Sequence, residues 1–238
     1  MVRFEKQNLS QRMTDELGKA IVAGKYSAEA GLPTEAMLCE EYGISRTAVR
    51  EAVKMLSAKG LISSRPRQGI RLEPAEKWNM YDTSVLRWLL ESSPSLRVLK
   101  EFLQMRLAIE PQAAALAAQH GDAVAVDAIG DAAQRMLDAA ADPAVDLMTA
   151  DLDFHTSILR ASGNRFFFQL RDFVSTALNV SIQHTTPAKG NVLSIAQDHY
   201  KIYEAIRSGQ AERAKNLMTH LIDEAMVFIE KEIEKTSN

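Results

Sequence analysis

The chain has 238 residues, 46% of them hydrophobic and 25% charged, with a formal net charge of −3 and a single cysteine, Cys39. This composition excludes a disordered chain and a disulfide framework, and the length suits one large domain or two modest ones. No run approaches the roughly 20 apolar residues of a membrane helix, and the opening residues lack an apolar signal core, so the expectation is a soluble, cytoplasmic protein.

The charge is unevenly spread. Of 28 Lys/Arg and 31 Asp/Glu, residues 1–75 hold 12 and 9, leaving 16 and 22 for the rest. A basic head on an acidic body raises nucleic-acid binding as a hypothesis for the head alone.

Leu9, Met13, Leu17 and Ile21 recur every four residues and predict a helix over 8–23, stopped by Gly24. Gly31-Leu32-Pro33 reads as a turn, after which Thr34 can cap a second short helix through Glu35, Leu38 and Glu41. Tyr42-Gly43-Ile44 then connects to a third helix, capped by Ser45, running to Lys59 and closed by Gly60. Two short helices joined through a glycine turn form a helix-turn-helix pattern. Leu61–Ser64 and Ile70–Leu72, around the basic turn Arg65-Pro66-Arg67-Gln68-Gly69, read as the two strands of a wing.

On the third helix, 100° per residue separates Val49, Ala52, Val53 and Leu56, which would seal a small core, from Arg46, Thr47, Arg50 and Lys54 on the outward side. Donors so placed can enter a major groove. Arg46 and Arg50 are the candidates for base or phosphate contact, Thr47 for a phosphate or a thymine methyl, and Lys54 for backbone charge. The competing reading is an ordinary solvated basic face; the arginines of the wing, Arg65, Arg67 and Arg71, argue against it.

From residue 76 onward the pattern is helical throughout, over 81–91, 96–119, 122–140, 144–161, 164–184, 190–207 and 210–235, with breaks at Pro94, Gly121, Pro143, Gly163, Pro187 to Gly190 and Gly209. The expected architecture is mainly α: a winged helix-turn-helix over 1–75, then an all-α bundle over 76–238.

Polar residues inside apolar stripes are the informative ones. Asp151 and His155, four apart, lie beside the stripe of Leu147, Phe154 and Ile158; His199 is central among Ile195, Ile202, Tyr203 and Ile206; His220 flanks Leu217, Leu221 and Phe228. Burying these groups unpaired is costly, and a divalent metal would satisfy all four at once. The alternative is that each histidine is a satisfied core residue. His120 reads as a helix C-cap, and His184 has no partner by periodicity. Arg106 interrupts the stripe of Leu99, Phe102, Leu103, Ile109 and Ala113; its partner is either Glu110, one turn on, or a ligand carboxylate gripped in bidentate fashion. Asn164 can cap the next helix or donate to a ligand hydroxyl.

Leu32-Pro33, Ser45-Arg46-Thr47, Val49-Arg50-Glu51-Ala52, the exit Gly60-Leu61-Ile62 and the Pro66-to-Gly69 wing resemble the winged helix-turn-helix of GntR-type bacterial transcription regulators over residues 8–73. That family usually carries arginine where Ala36 stands, which puts one DNA contact in doubt. The resemblance implies DNA contacts from Ser45, Arg46, Thr47, Arg50, Lys54, Arg65, Arg67 and Gly69. In the body, Arg106-x-x-x-Glu110, Asp151-x-x-Phe154-His155, Ala161-Ser162-Gly163-Asn164, His199 with Ala205-Ile206, and Ala214 with His220-Leu221 resemble the FCD effector domain over about 96–225. This second resemblance implies a divalent metal, zinc or nickel, on Asp151, His155, His199 and His220, with Arg106 toward a carboxylate effector; Asn164 is the candidate for the effector's hydroxyls. Homodimers on near-palindromic operators follow from the same resemblance. The stretch from Lys77 to Trp88 is similar to galactonate-operon repressors and their sugar-acid-responsive relatives.

The expected function is a ligand-responsive, DNA-binding transcription regulator, a repressor of sugar-acid catabolism released from double-stranded operator DNA by an acid such as D-galactonate. Competing readings keep the regulator and change the effector to lactate, glycolate, a hexuronate or the metal itself. A metal-dependent hydrolase is the rival class, against which no further acid or base is placed for proton transfer.

Overall fold

The four-residue recurrence of apolar side chains produces helix α1 (Leu9–Val22), which buries Met13, Leu17 and Ile21 on one side. Thr34 Oγ1 accepts the Met37 N–H to start α2 (Glu35–Tyr42), and Gly43, at φ 62°, closes it in a left-handed conformation that favours glycine. Ser45 Oγ accepts the Ala48 N–H to start α3 (Arg46–Ala58), whose buried residues are Val49, Ala52, Val53 and Leu56. Strands β1 (Ile62–Arg65) and β2 (Gly69–Leu72) pair antiparallel, with Ile62 opposite Leu72 and Arg65 opposite Gly69. This is the expected wing. The computed structural model describes residues 9–27, 31–65, 69–92, 96–142, 144–189 and 191–237.

The chain divides into two compact units, Met1–Pro94 and Ser95–Asn238. Helix α4 (Thr83–Ser92), read from its sequence pattern with the bundle, packs on α1 in the first of them. Asp82 caps α4 through Oδ1, which accepts the Ser84 and Val85 N–H groups, while Lys59 Nζ reaches the same carboxylate at 2.7–2.8 Å. Trp88 donates its indole N–H to Asp15 Oδ1 at 2.7 Å, and its ring fills the space that a Cβ on Gly18 would need. Val85 and Trp88 thereby join the core of Met13, Leu17, Leu38, Val49 and Leu56.

The second unit is helical among its described residues: α5 (Leu96–His120), α6 (Ala123–Ala141), α7 (Leu147–Ala161), α8 (Arg165–Gln169), α9 (Arg171–Lys189), α10 (Val192–Arg207) and α11 (Ala211–Ser237). Helix α11 lies along α5, α6 packs on α7 and α10, and α7 also meets α5 and α9. The helix expected over 164–184 is two helices, because the chain turns at Leu170, whose N–H closes on the Phe167 carbonyl. No glycine or proline marks that turn. Helix α9 then runs through Pro187 to Lys189, past the first residue of the expected break. Among the described residues no helix is long and apolar enough to cross a membrane.

Candidate functional site

In the first unit, α3 carries Arg46, Thr47, Arg50 and Lys54 on its exposed side, with Ser45 exposed at its cap. Arg50 Nε lies 3.0 Å from Glu35 Oε2 on α2, and Lys54 Nζ lies 2.9 Å from Glu51 Oε1. The Ser45 hydroxyl is engaged as an N-cap. Ala36 is exposed on α2 beside Glu35, so the position usually held by arginine lacks a cationic side chain. Gly69 opens β2 with φ 74°, a conformation that favours glycine, while Arg71 is exposed on the same strand. Of the other wing arginines, Arg65 ends β1 with its side chain outside the described residues, and Arg67 lies outside them altogether.

The second unit holds a buried cluster of charge. Helix α5 contributes Arg106, which is 4% exposed, and Glu110, which is 1% exposed. Arg106 Nε donates to Glu110 Oε1 at 2.6 Å and Nη2 to Oε2 at 3.1 Å, the bidentate geometry of a guanidinium on a carboxylate. Nη2 also lies 3.1 and 3.2 Å from the two ring nitrogens of His155. Glu110, one of the two partners the sequence offered Arg106, is thus in place.

Helix α7 contributes Asp151 and His155, and α10 contributes His199. Ligand atoms of these three residues lie within 4.8 Å of one another, and all three residues are buried. His155 Nδ1 meets Glu110 Oε2 at 2.7 Å; His155 Nε2 faces Asp151 Oδ1 at 3.2 Å. His199 Nδ1 bonds the Ile195 carbonyl at 2.7 Å, and Nε2 faces Asp151 Oδ1 at 3.8 Å. Phe154 packs edge-on against both imidazoles.

Burial alone would raise the Glu110 pKa, but the Arg106 and His155 charges hold it down, to about 2. Burial likewise works against ionised Asp151, and the close His155 imidazole with the His199, His155 and Arg106 charges outweighs it, so Asp151 is lowered. For His155 burial pulls the pKa down, and the Glu110 charge together with the contacts to Asp151 and Glu110 outweighs it, so it is raised.

His220 is not brought into this group. Its side chain is 75% exposed and Nε2 lies 3.3 Å from Glu224 Oε1 on its own helix. The buried stripe of α11 runs through Ala214, Met218, Ile222, Ala225 and Ile229. Centring the stripe on Leu217, Leu221 and Phe228 misplaces it by about 80° at 3.6 residues per turn, which is what put His220 at its flank. Leu221, the next residue, faces the cluster instead. Asn164 is also elsewhere: its Oδ1 accepts the Phe166 and Phe167 N–H groups and caps α8, and it does not line the cavity at the cluster. Sequence reasoning named Glu110 only as the partner of Arg106 and missed Ser181 of α9, which lines that cavity. No periodicity within one helix could show either contact.

The cluster fits a divalent cation. Asp151 Oδ1 forms no well-aligned hydrogen bond with any described residue, although two imidazole nitrogens face it. A buried carboxylate oxygen left so is costly, and O/N/N donors of this kind suit zinc and its neighbours.

The model for the bacterial regulatory proteins of the gntR family matches residues 9–72, and that for the FCD domain matches 101–224. The FCD match alone spans over half of the chain. The chain belongs to the GntR family. This GntR regulator is 31% identical over 216 residues to the galactonate operon transcriptional repressor of Escherichia coli K12, covering 90% of this chain and 94% of that one. It is 28% identical over 213 residues to the Glc operon transcriptional activator of the same strain, covering 86% and 82%. Among solved structures, the Listeria monocytogenes regulator Lar shares the fold, with a TM-score of 0.58 at 17% identity over 97% of this chain and 99% of that one. The protein is therefore a DNA-binding transcription regulator with an effector-binding FCD domain, and not an enzyme.

Proposed function

We propose that this GntR regulator represses genes of sugar-acid catabolism and is released from its operator by the acid, D-galactonate being the leading candidate. The observation that carries the reading is the similarity to the E. coli galactonate repressor along nearly the whole of both chains. The same proposal has a homodimer reading a two-fold operator with Arg46, Thr47, Arg50 and Lys54 in successive major grooves and Arg65 and Arg67 at the wings. Asp151, His155 and His199 would hold the metal, zinc by the chemistry of the donors, with Ser181 and Leu221 in the wall around them. When bound, the ion supplies a Lewis-acid site for a carboxylate oxygen.

Arg106 presents its guanidinium to the same cavity, and electrostatic attraction from that edge draws an anion inward. The cavity is small, about 40 Å³, close to the roughly 30 Å³ share of one water in the liquid. A second concavity of about 300 Å³ shares Ile195 with it and is lined by Asn191, Ser194, Asp198 and Glu224. A polyhydroxylated tail suits those polar groups, whereas the methyl of lactate does not. Entry of a sugar acid requires Ile195 or its neighbours Leu178, Ile182 and Leu221 to yield. The acid then changes DNA affinity only so far as it binds the two states of the protein unequally.

Thermal unfolding of the metal-loaded protein tests the effector assignment. D-galactonate at about 100 times its dissociation constant is expected to stabilise the protein by about 2.7 kcal/mol, while lactate and gluconate at equal concentration do little. Equal shifts from all three acids, or none from galactonate, would overturn it.

A further inference from the structure

The two histidines of the cluster are anchored in the same way, at Nδ1, but by different groups. For His199 the anchor is the Ile195 carbonyl, one turn back on its own helix, at 2.7 Å. For His155 it is Glu110 on α5, at 2.7 Å. In both cases Nε2 faces Asp151 Oδ1, and for His155 it also lies 3.1 Å from Arg106 Nη2, a contact that an ion on Nε2 would displace. We propose that Glu110 is a positioning residue for the metal site, holding the His155 ring by its Nδ1–H so that the Nε2 lone pair converges with His199 Nε2 and Asp151 on one ion. The inference rests on the metal reading above.

Both oxygens of Glu110 are engaged. Oε1 takes the Arg106 Nε–H, and Oε2 takes an Nη2–H of Arg106 together with the imidazole. Glu110 is therefore tied off from the ion, and Arg106 fixes the carboxylate at a set distance from α7. A carboxylate behind a ligating imidazole selects the tautomer, fixes the ring orientation and raises the basicity of the ligating nitrogen. Arg106 acquires a second part from this arrangement: the guanidinium that offers an edge to an effector also steadies the carboxylate behind a metal ligand.

Glu110 has a plainer reading, as a counter-ion for Arg106 and nothing more. On that reading its removal weakens metal binding only because an unopposed guanidinium repels the cation. The double variant separates the two. Zinc affinity is measured on the full chain by competition with a chromophoric chelator for wild type, Glu110→Gln and Arg106→Gln/Glu110→Gln, with His ring ¹⁵N spectra recorded alongside.

Positioning predicts a dissociation constant raised about 10–100-fold in Glu110→Gln, a comparable loss in the double variant, and loss of the Nδ1–H preference of His155 in both. Affinity restored in the double variant, or unchanged in Glu110→Gln, would overturn the proposal while leaving the metal site in place. Failure of the wild type to take up one ion per chain would overturn the metal reading and this inference with it. If Glu110→Gln alone does not fold, the double variant, which removes both buried charges together, gives the answer by itself.

Discussion

Replacing Arg50 by alanine lowers the affinity of this regulator for its operator by about fivefold to 150-fold per half-site, the 1–3 kcal/mol that a well-placed arginine supplies at a base edge. The geometry sets this expectation. Arg50 stands one turn into α3, on the exposed side that adjoins the buried Val49 and Val53, and its side chain is 65% exposed. Its Nε is held 3.0 Å from Glu35 Oε2 on α2. A side chain steadied in this way loses less conformational freedom on binding than one sampling solution. The kind of contact shows in the pattern of loss. If Arg50 reads a base, sequence preference relaxes at one position; if it meets phosphate, all sequences weaken together and the salt slope falls by about 1. Lys54→Ala is expected to give the second pattern. Operator titrations at several salt concentrations check both variants, and wild-type affinity in Arg50→Ala would show that α3 does not read the groove.

The largest effect on stability is expected from Arg106→Ala. Glu110, 1% exposed, loses the guanidinium that grips both of its oxygens, and removing one partner of a buried ion pair costs about 3–5 kcal/mol. The pH dependence weakens with it. In the wild type without metal, the Glu110 pKa lies at about 2, below the ordinary value of 4.5. Its contribution to stability is therefore complete above pH 4.5 and is lost as the pH falls toward 2. Without Arg106 the largest charge opposing burial is gone, His155 alone holds the Glu110 pKa down, the folded value rises toward the ordinary one, and less stability is lost on acidification. Urea unfolding in the presence of a chelator, across the acid range, follows both proteins. A variant whose stability falls with acidification in parallel with the wild type would mean that Arg106 is not what keeps Glu110 ionised.

The head was legible almost residue by residue because its signals are local. Thr34, Gly43, Ser45 and Gly60 punctuate the helices within a few residues of where they act, and the period of α3 alone sorts its two sides. Helix α4 has an ordinary amphipathic pattern that does not say which body it joins; the seating of Trp88 against Gly18 and Asp15 does. In the bundle, Asp151, His155 and His199 could be found as polar residues inside narrow apolar stripes. His220 could not be placed, because the apolar arc of α11 is wide and its centre is set by packing on α5. The link from Glu110 to His155 joins two helices and leaves no trace in the period of either.

The central claim is that one chain couples operator binding to a sugar acid held in the FCD unit. Fluorescence anisotropy on DNA from upstream of its own gene and of neighbouring sugar-acid genes, with metal-loaded protein and with or without D-galactonate, tests it most directly. The account predicts salt-sensitive, sequence-specific binding that galactonate reverses and lactate and gluconate do not. Specific binding that is indifferent to galactonate would contradict it.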